Sequence, residues 1–122
     1  QSKEYYLKKQ KLIEKSFMLN KNTAVCIFDE NIYEKRDLAI VAEELLQFEN
    51  VEASYAIGYV NKNIIGISAR SIGTVDVETI MTKLGGGGHM NEAATQLEDL
   101  SLKEAFEKLK GAIEWKLFLL KT

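Results

Sequence analysis

Two short segments placed back to back constrain the fold more than any other feature of the chain. In "ASYAIGYV" (53–60), Tyr55, Ile57 and Tyr59 alternate with Ser54, Ala56 and Gly58. In "NIIGISAR" (63–70), Ile65, Ile67 and Ala69 alternate with Gly66, Ser68 and Arg70. A period of two marks pleated strands, and Asn61-Lys62 between them suits a tight hairpin because asparagine tolerates positive φ. One face of the second strand is bulky, while the other is small and ends in Arg70. Small residues either let a helix pack closely or leave room for a ligand; the pattern alone leaves both readings open.

The flanking segments supply the remaining layers. "TAVCIF" (23–28) is a continuous apolar run suited to a buried strand. "YEKRDLAIVAEELLQFE" (33–49) places Leu38, Val41, Ala42, Leu45 and Leu46 on one helical face, with Glu and Lys opposite. The spacing of Tyr5, Tyr6, Leu12, Ile13 and Phe17 predicts a further helix over 3–19. "VDVETIMTKL" (75–84) reads as a short helix with Asp76 as N-cap and with Val77, Ile80, Met81 and Leu84 turned inward. "AATQL" (93–97) reads as a weak strand. The last helix opens on a Ser101–Glu104 capping box, and Leu102, Phe106, Leu109, Ile113 and Leu117 form its apolar stripe. No repeat or linker divides the 122 residues, a length that fits one domain. The fold class is α/β: a single domain with a mixed β-sheet covered by helices and a Gly-rich loop after a short helix.

That loop, "KLGGGGHMNEAATQL" (83–97), holds half of the eight glycines and ends on the one histidine of the chain. Gly85 suits the C-cap of the preceding helix, but a cap uses one glycine and not four. Either the run is a flexible turn, or Gly85, Gly86, Gly87 and Gly88 lay bare backbone amides against an anion, with His89 at the rim and Arg70 as a bidentate partner. Spacing alone does not choose between them.

Other chemistry finds little support. One histidine, one cysteine and no HxxxH or CxxC spacing do not make a familiar metal centre. No nucleophile elbow, Walker loop or dinucleotide fingerprint is present. Cys26 lies in an apolar run and reads as a buried structural thiol, in keeping with a reducing cytoplasm. A net charge of −2 argues against a broad electrostatic grip on nucleic acid. No apolar run approaches the ~20 residues of a membrane helix.

"GISARS" (66–71) followed by "VDVETIMTKLGGGGHMNEAATQL" (75–97) resembles the DHH-associated domain of the first subtype, the C-terminal lobe of DHH-superfamily phosphodiesterases. Nanorna phosphatases and RecJ-type exonucleases generally continue the motif as Ala-Ala-Gly. Here Ala93-Ala94 is followed by Thr95, which is more similar to GdpP-type cyclic-di-AMP phosphodiesterases. The resemblance implies a substrate-binding lobe in which Arg70, Ser71, Gly85, Gly86, Gly87, Gly88, His89 and Asn91 contact the nucleotide or its phosphates. It also implies that residues 1–20 connect an upstream DHH lobe, which holds catalytic manganese, to a domain over 21–122. No catalytic residue or metal ligand is then expected in this chain. The start at Gln1, with no methionine and no signal region, fits a cut within a longer protein. The parent protein is expected to be a bacterial signalling protein anchored in the membrane, with this domain on the cytoplasmic side. It would hydrolyse cyclic-di-AMP to linear pApA, possess a DHH lobe as intrachain partner, and form a homodimer. The alternatives are the same lobe of a short-oligoribonucleotide phosphodiesterase or RecJ-like exonuclease, a nucleic-acid-binding appendage like that of alanyl-tRNA synthetase, and a structural or dimerisation domain.

Overall fold

The computed structural model describes residues 2–121; Gln1 and Thr122, the outer ends of the two expected segments, lie outside them. Within the described residues the order is α1 (Lys3–Glu14), β1 (Phe17–Asn20), β2 (Thr23–Ile32), α2 (Lys35–Leu45), β3 (Ala53–Asn61), β4 (Ile64–Ser71), α3 (Glu78–Lys83), β5 (Gly87–His89), β6 (Glu92–Glu98) and α4 (Leu102–Leu120). The strands form one sheet in the order β1-β2-β3-β4-β6-β5. β2 and β3 are parallel and joined through α2, while every other neighbouring pair is antiparallel. The mixed α/β sheet expected from the sequence is therefore the fold.

Strand alternation divides the core into two. Val25, Tyr55, Ile57, Ile65, Ile67 and Ala69 meet α3 and α4 through Val77, Met81, Leu109 and Ile113. On the other face Ala24, Cys26, Phe28 and Ala56 meet α1 and α2 through Leu12, Ile13, Leu38, Val41 and Leu45. Burying about a dozen apolar side chains on each face, at roughly 1.5–3 kcal/mol apiece before chain entropy is counted, gives each helix layer a sufficient reason to dock. Among the described residues no helix is long and apolar enough to cross a membrane.

Four sequence expectations change. The helix over 3–19 ends at Glu14, and residues 17–20 form the edge strand β1, with Phe17 opposite Val25 and Met18 opposite Ala24. Helix spacing misleads there because Phe17 falls in phase with Ile13. The local turn chemistry decides instead: the Ser16 hydroxyl donates to the Ile13 carbonyl (2.6 Å), and the Asn20 side chain accepts from the Asn22 amide (3.0 Å). The strand expected over 23–28 continues to Ile32. The β3–β4 turn needs no positive φ at Asn61, since among the described non-glycine residues only Asn50 and Asp99 adopt one. Lastly, the glycine run is only half a loop, because Gly87–His89 is itself a strand paired with β6.

Candidate nucleotide-binding groove

The small face of β4 is tightly packed in one place and open in another. Under α2 the contact is tight: a Cβ on Gly66 would lie 3.0 Å from Leu38 Cδ1. Beside α2 the sheet continues into β6 and β5, and there Glu92, Ala94, Gln96 and Glu98, which share this face, are exposed. Two shallow cavities of about 460 and 360 Å³ lie along this strip. Ser68 and Ala94 border both, Gly85 and Gly86 line the first, and Arg70, Gly87 and Gly88 line the second.

The glycines have separate tasks. Gly85 sits at φ +89 just beyond α3, and its amide donates to the Thr82 carbonyl (3.0 Å). The Gly86 amide donates to the Met81 carbonyl (2.8 Å), completing a Schellman cap. A Cβ on Gly86 would stand 2.1 Å from the Ala94 carbonyl oxygen and 2.5 Å from Thr95 Cβ, so only glycine lets this turn lie on β6. Gly88 combines φ +146 with a would-be Cβ 2.5 Å from the Glu92 carbonyl oxygen. Gly87 is different: a Cβ there would meet nothing within 4 Å. Three of the four glycines are thus accounted for by a helix cap and a close strand pairing. Only Gly87 is glycine without a steric demand from the fold, and it faces the groove.

Thr95, the departure from Ala-Ala-Gly, also has a structural part. Its hydroxyl donates to the Leu84 carbonyl (2.9 Å), tying the end of α3 to β6. Asp76 behaves as an N-cap even though the helix proper starts at Glu78. Its carboxylate accepts from the Glu78 amide (2.8 Å), the Thr79 amide (3.3 Å) and the Thr79 hydroxyl (2.8 Å). Partial burial alone would raise its pKa, but these donors and the nearby Lys116 bring it below the usual carboxylate value.

The charged groups fall in a row across three strands. Arg70 on β4 pairs in register with Glu92 on β6, which pairs with His89 on β5. Directly opposed residues project to the same side, so His89 stands at the outer end of the row, exposed. The Arg70 guanidinium is largely covered and is held between Glu43 of α2 (3.4 Å) and Glu92 (3.3 Å), while Nη1 donates to its own neighbour's carbonyl at Ala69 (2.8 Å). Both glutamates are more than 60% exposed, and such pairs contribute only about 0–1 kcal/mol each. An incoming anion can therefore displace them from Arg70 at little cost.

Ser71 and Asn91 are placed elsewhere. Alternation turns Ser71 to the opposite face, where it is buried and its hydroxyl donates to the Val75 carbonyl (2.6 Å). The Asn91 amide donates to Ser71 Oγ (2.9 Å) and reaches the Gly73 carbonyl (3.2 Å). Together they brace the β4–α3 loop against the β5–β6 turn. The structure brings together Arg70, Gly87 and His89 on one face, with Gly85 and Gly86 at its edge and Gly88 bordering it through its backbone, and leaves Ser71 and Asn91 behind it. Sequence reasoning missed Glu43, Ser68, Lys35 and Arg36, which border the groove or hold Arg70. Periodicity places the last two on the polar side of α2, where nothing in the sequence distinguishes them from solvated charge.

Among the described residues no group of three or more His, Cys, Asp or Glu side chains could hold a metal ion. The donor set present does not suit the manganese that the family resemblance implies.

Similar proteins share this arrangement of segments. The cyclic-di-AMP phosphodiesterase GdpP of Bacillus subtilis (strain 168) is 42% identical over 112 residues, covering 89% of this chain and 17% of that protein. The cyclic-di-AMP phosphodiesterase PdeA of Listeria monocytogenes serotype 1/2a (strain 10403S) is 49% identical over 80 residues, 64% of this chain and 12% of that protein. The chain thus spans less than a fifth of the length of either relative. In three dimensions it is similar to an exopolyphosphatase-related protein from Bacteroides fragilis, with a TM-score of 0.83 at 22% identity over 100% of this chain and 37% of that one. That likeness concerns the fold alone. The DHHA1 domain family matches residues 20–115, a span that runs from the end of β1 well into α4 and includes the whole groove, and the chain belongs to that family.

Proposed function

We propose that the groove between α2 and β5 is the substrate-holding surface of a phosphodiesterase that opens cyclic-di-AMP to linear pApA. The observation that carries this reading is the shared face of Arg70, Gly87 and His89. It joins a displaceable guanidinium to a stretch of bare backbone and a ring nitrogen. Arg70 would grip a phosphodiester through two parallel hydrogen bonds. Gly87, with no side chain on that face, would let the ligand lie against the strand, and His89 would orient a phosphate oxygen from the outer end. The identity to GdpP and PdeA supports cyclic-di-AMP as the substrate.

In this reading the domain binds and orients, and hydrolysis belongs to a DHH lobe elsewhere in a longer polypeptide, where manganese would activate the attacking water. The parent protein is proposed to be membrane-anchored and homodimeric, with this domain in the cytoplasm. The test is kinetic. In the longer polypeptide, Arg70→Ala and His89→Ala should each lower kcat/KM roughly tenfold to a hundredfold, the value of a lost charge-assisted hydrogen bond of about 1.5–3 kcal/mol. Thermal melts should stay at the wild-type value. Wild-type kinetics in both variants would overturn the assignment.

A further inference from the structure

The charge balance of the groove poses a difficulty for the reading just given. Arg70 is its one cation on the sheet, and it faces two carboxylates, Glu43 and Glu92. A phosphodiester would meet a surface with no net positive charge unless another cation reached it. Two do so, from the start of α2. Lys35 borders both cavities of the groove, and Arg36 borders the one that contains Arg70. Lys35 is exposed and has no ion pair among the described residues. Arg36 pairs only with Glu34 at 3.1 Å, and both side chains are more than 70% exposed, so that pair exchanges freely with solvent and ligand.

The same two side chains also form the wall of a larger cleft of about 720 Å³ on their other side, between α1 and α2. Its floor is apolar, with Leu12, Phe28, Val41 and Val60, and its rim carries Lys8 and the 61%-exposed Ile32. Lys8 Nζ lies 4.9 Å from the Tyr33 ring centroid. An apolar floor beneath a rim on which Lys8, Lys9, Lys35 and Arg36 outnumber Glu34 and Asp37 suits a nucleoside bearing a phosphate. None of the four glycines lines this cleft, yet Lys35 and Arg36 belong to both spaces.

Resting on the groove as the nucleotide site, we propose that Lys35 and Arg36 hold the second phosphate of a dinucleotide, whose distal nucleoside lies in the α1–α2 cleft. The site would then measure two nucleotides rather than one. A mononucleotide would occupy the groove alone and leave the α1–α2 cleft untouched.

Calorimetric titration of the chain with pApA and with AMP tests this. Wild-type protein should bind pApA more tightly than AMP. Lys35→Gln combined with Arg36→Gln should weaken pApA binding roughly fivefold to thirtyfold, the range for one or two exposed charge contacts, and weaken AMP binding by a clearly smaller factor. Both positions are exposed, so the variant should melt with the wild type. In heteronuclear NMR spectra pApA, but not AMP, should shift Ile32 and Tyr33. Equal loss for both nucleotides, or silence of the cleft under pApA, would overturn the two-nucleotide site while leaving the groove intact. Failure of either nucleotide to move the groove signals would overturn the groove itself, and this inference with it.

Discussion

A side chain added at two adjacent glycines should have opposite effects. On Gly86 the new Cβ would lie 2.1 Å from the Ala94 carbonyl oxygen and 2.7 Å from Thr95 Cα. Both are backbone atoms of a paired strand and cannot rotate away. Relief requires moving the α3–β5 turn off β6, at the expense of the Gly86 amide bond to Met81 and the Thr95 bond to Leu84. Overpacking against yielding side chains costs about 1–3 kcal/mol. Against a fixed backbone, Gly86→Ala should reach the upper end of that range, or about 3 kcal/mol. For a domain of this size that lowers Tm by on the order of 10 °C. Gly87→Val places its side chain where nothing stands within 4 Å, in an extended segment that favours β-branched residues. It should melt at or slightly above the wild type and still lose nucleotide binding, because the groove is filled. Thermal melts followed by circular dichroism, with pApA titrations on the same samples, read both effects. A Gly86→Ala protein as stable as the wild type, or a Gly87→Val protein that melts well below it, would refute the division of labour among the glycines.

Three further outcomes follow from particular contacts. Ser71→Ala should cost about 1–2 kcal/mol of stability by removing the hydroxyl's bond to the Val75 carbonyl and the acceptor for the Asn91 amide, with nucleotide affinity unchanged; a binding defect without a stability loss in urea denaturation would return Ser71 to the ligand. Asp76→Ala should cost about 1–2 kcal/mol through the lost cap. The folded pKa of Asp76 is depressed, so its contribution is present above the unfolded value of about 4 and disappears as pH falls through the folded one; the variant should therefore show a flatter acid limb in stability against pH. Burial pushes the Cys26 thiol up to about 12, outweighing the opposing Lys15 charge, and its Sγ–H donates to the Leu12 carbonyl (3.1 Å). It should resist thiol reagents at pH 8 until the chain unfolds, and rapid stoichiometric labelling of native protein would contradict that.

The sheet was legible wherever a period of two coincided with burial, as in β3 and β4, and the helices wherever an apolar stripe met a clear cap, as at Ser101 and Glu104. β1 was not legible, because Phe17 and Met18 continue a helical pattern and only the Asn20–Asn22 turn betrays the hairpin. In the site, Arg70 and His89 could be placed on one face only after the β5–β6 register was known, since three residues of mostly glycine carry no periodicity. Alternation along β4 separates Ser71 from Arg70, its neighbour in sequence, by the thickness of the sheet. The glycine run looked like a single device for making room. Gly85 instead caps α3, Gly86 and Gly88 answer to residues of β6 up to nine positions along the chain, and Gly87 meets no neighbour.

The central claim is that nucleotide binds on the α2 side of β4, β6 and β5. Titrating isotope-labelled protein with cyclic-di-AMP, and following its backbone amide signals by NMR, addresses this most directly. The account predicts the largest shifts at Ser68, Arg70, Gly86, Gly87, Gly88 and His89, with Ser71 and Asn91 moving less because they lie behind the sheet. Shifts concentrated on the α3–α4 face, with the glycine strand silent, would contradict it.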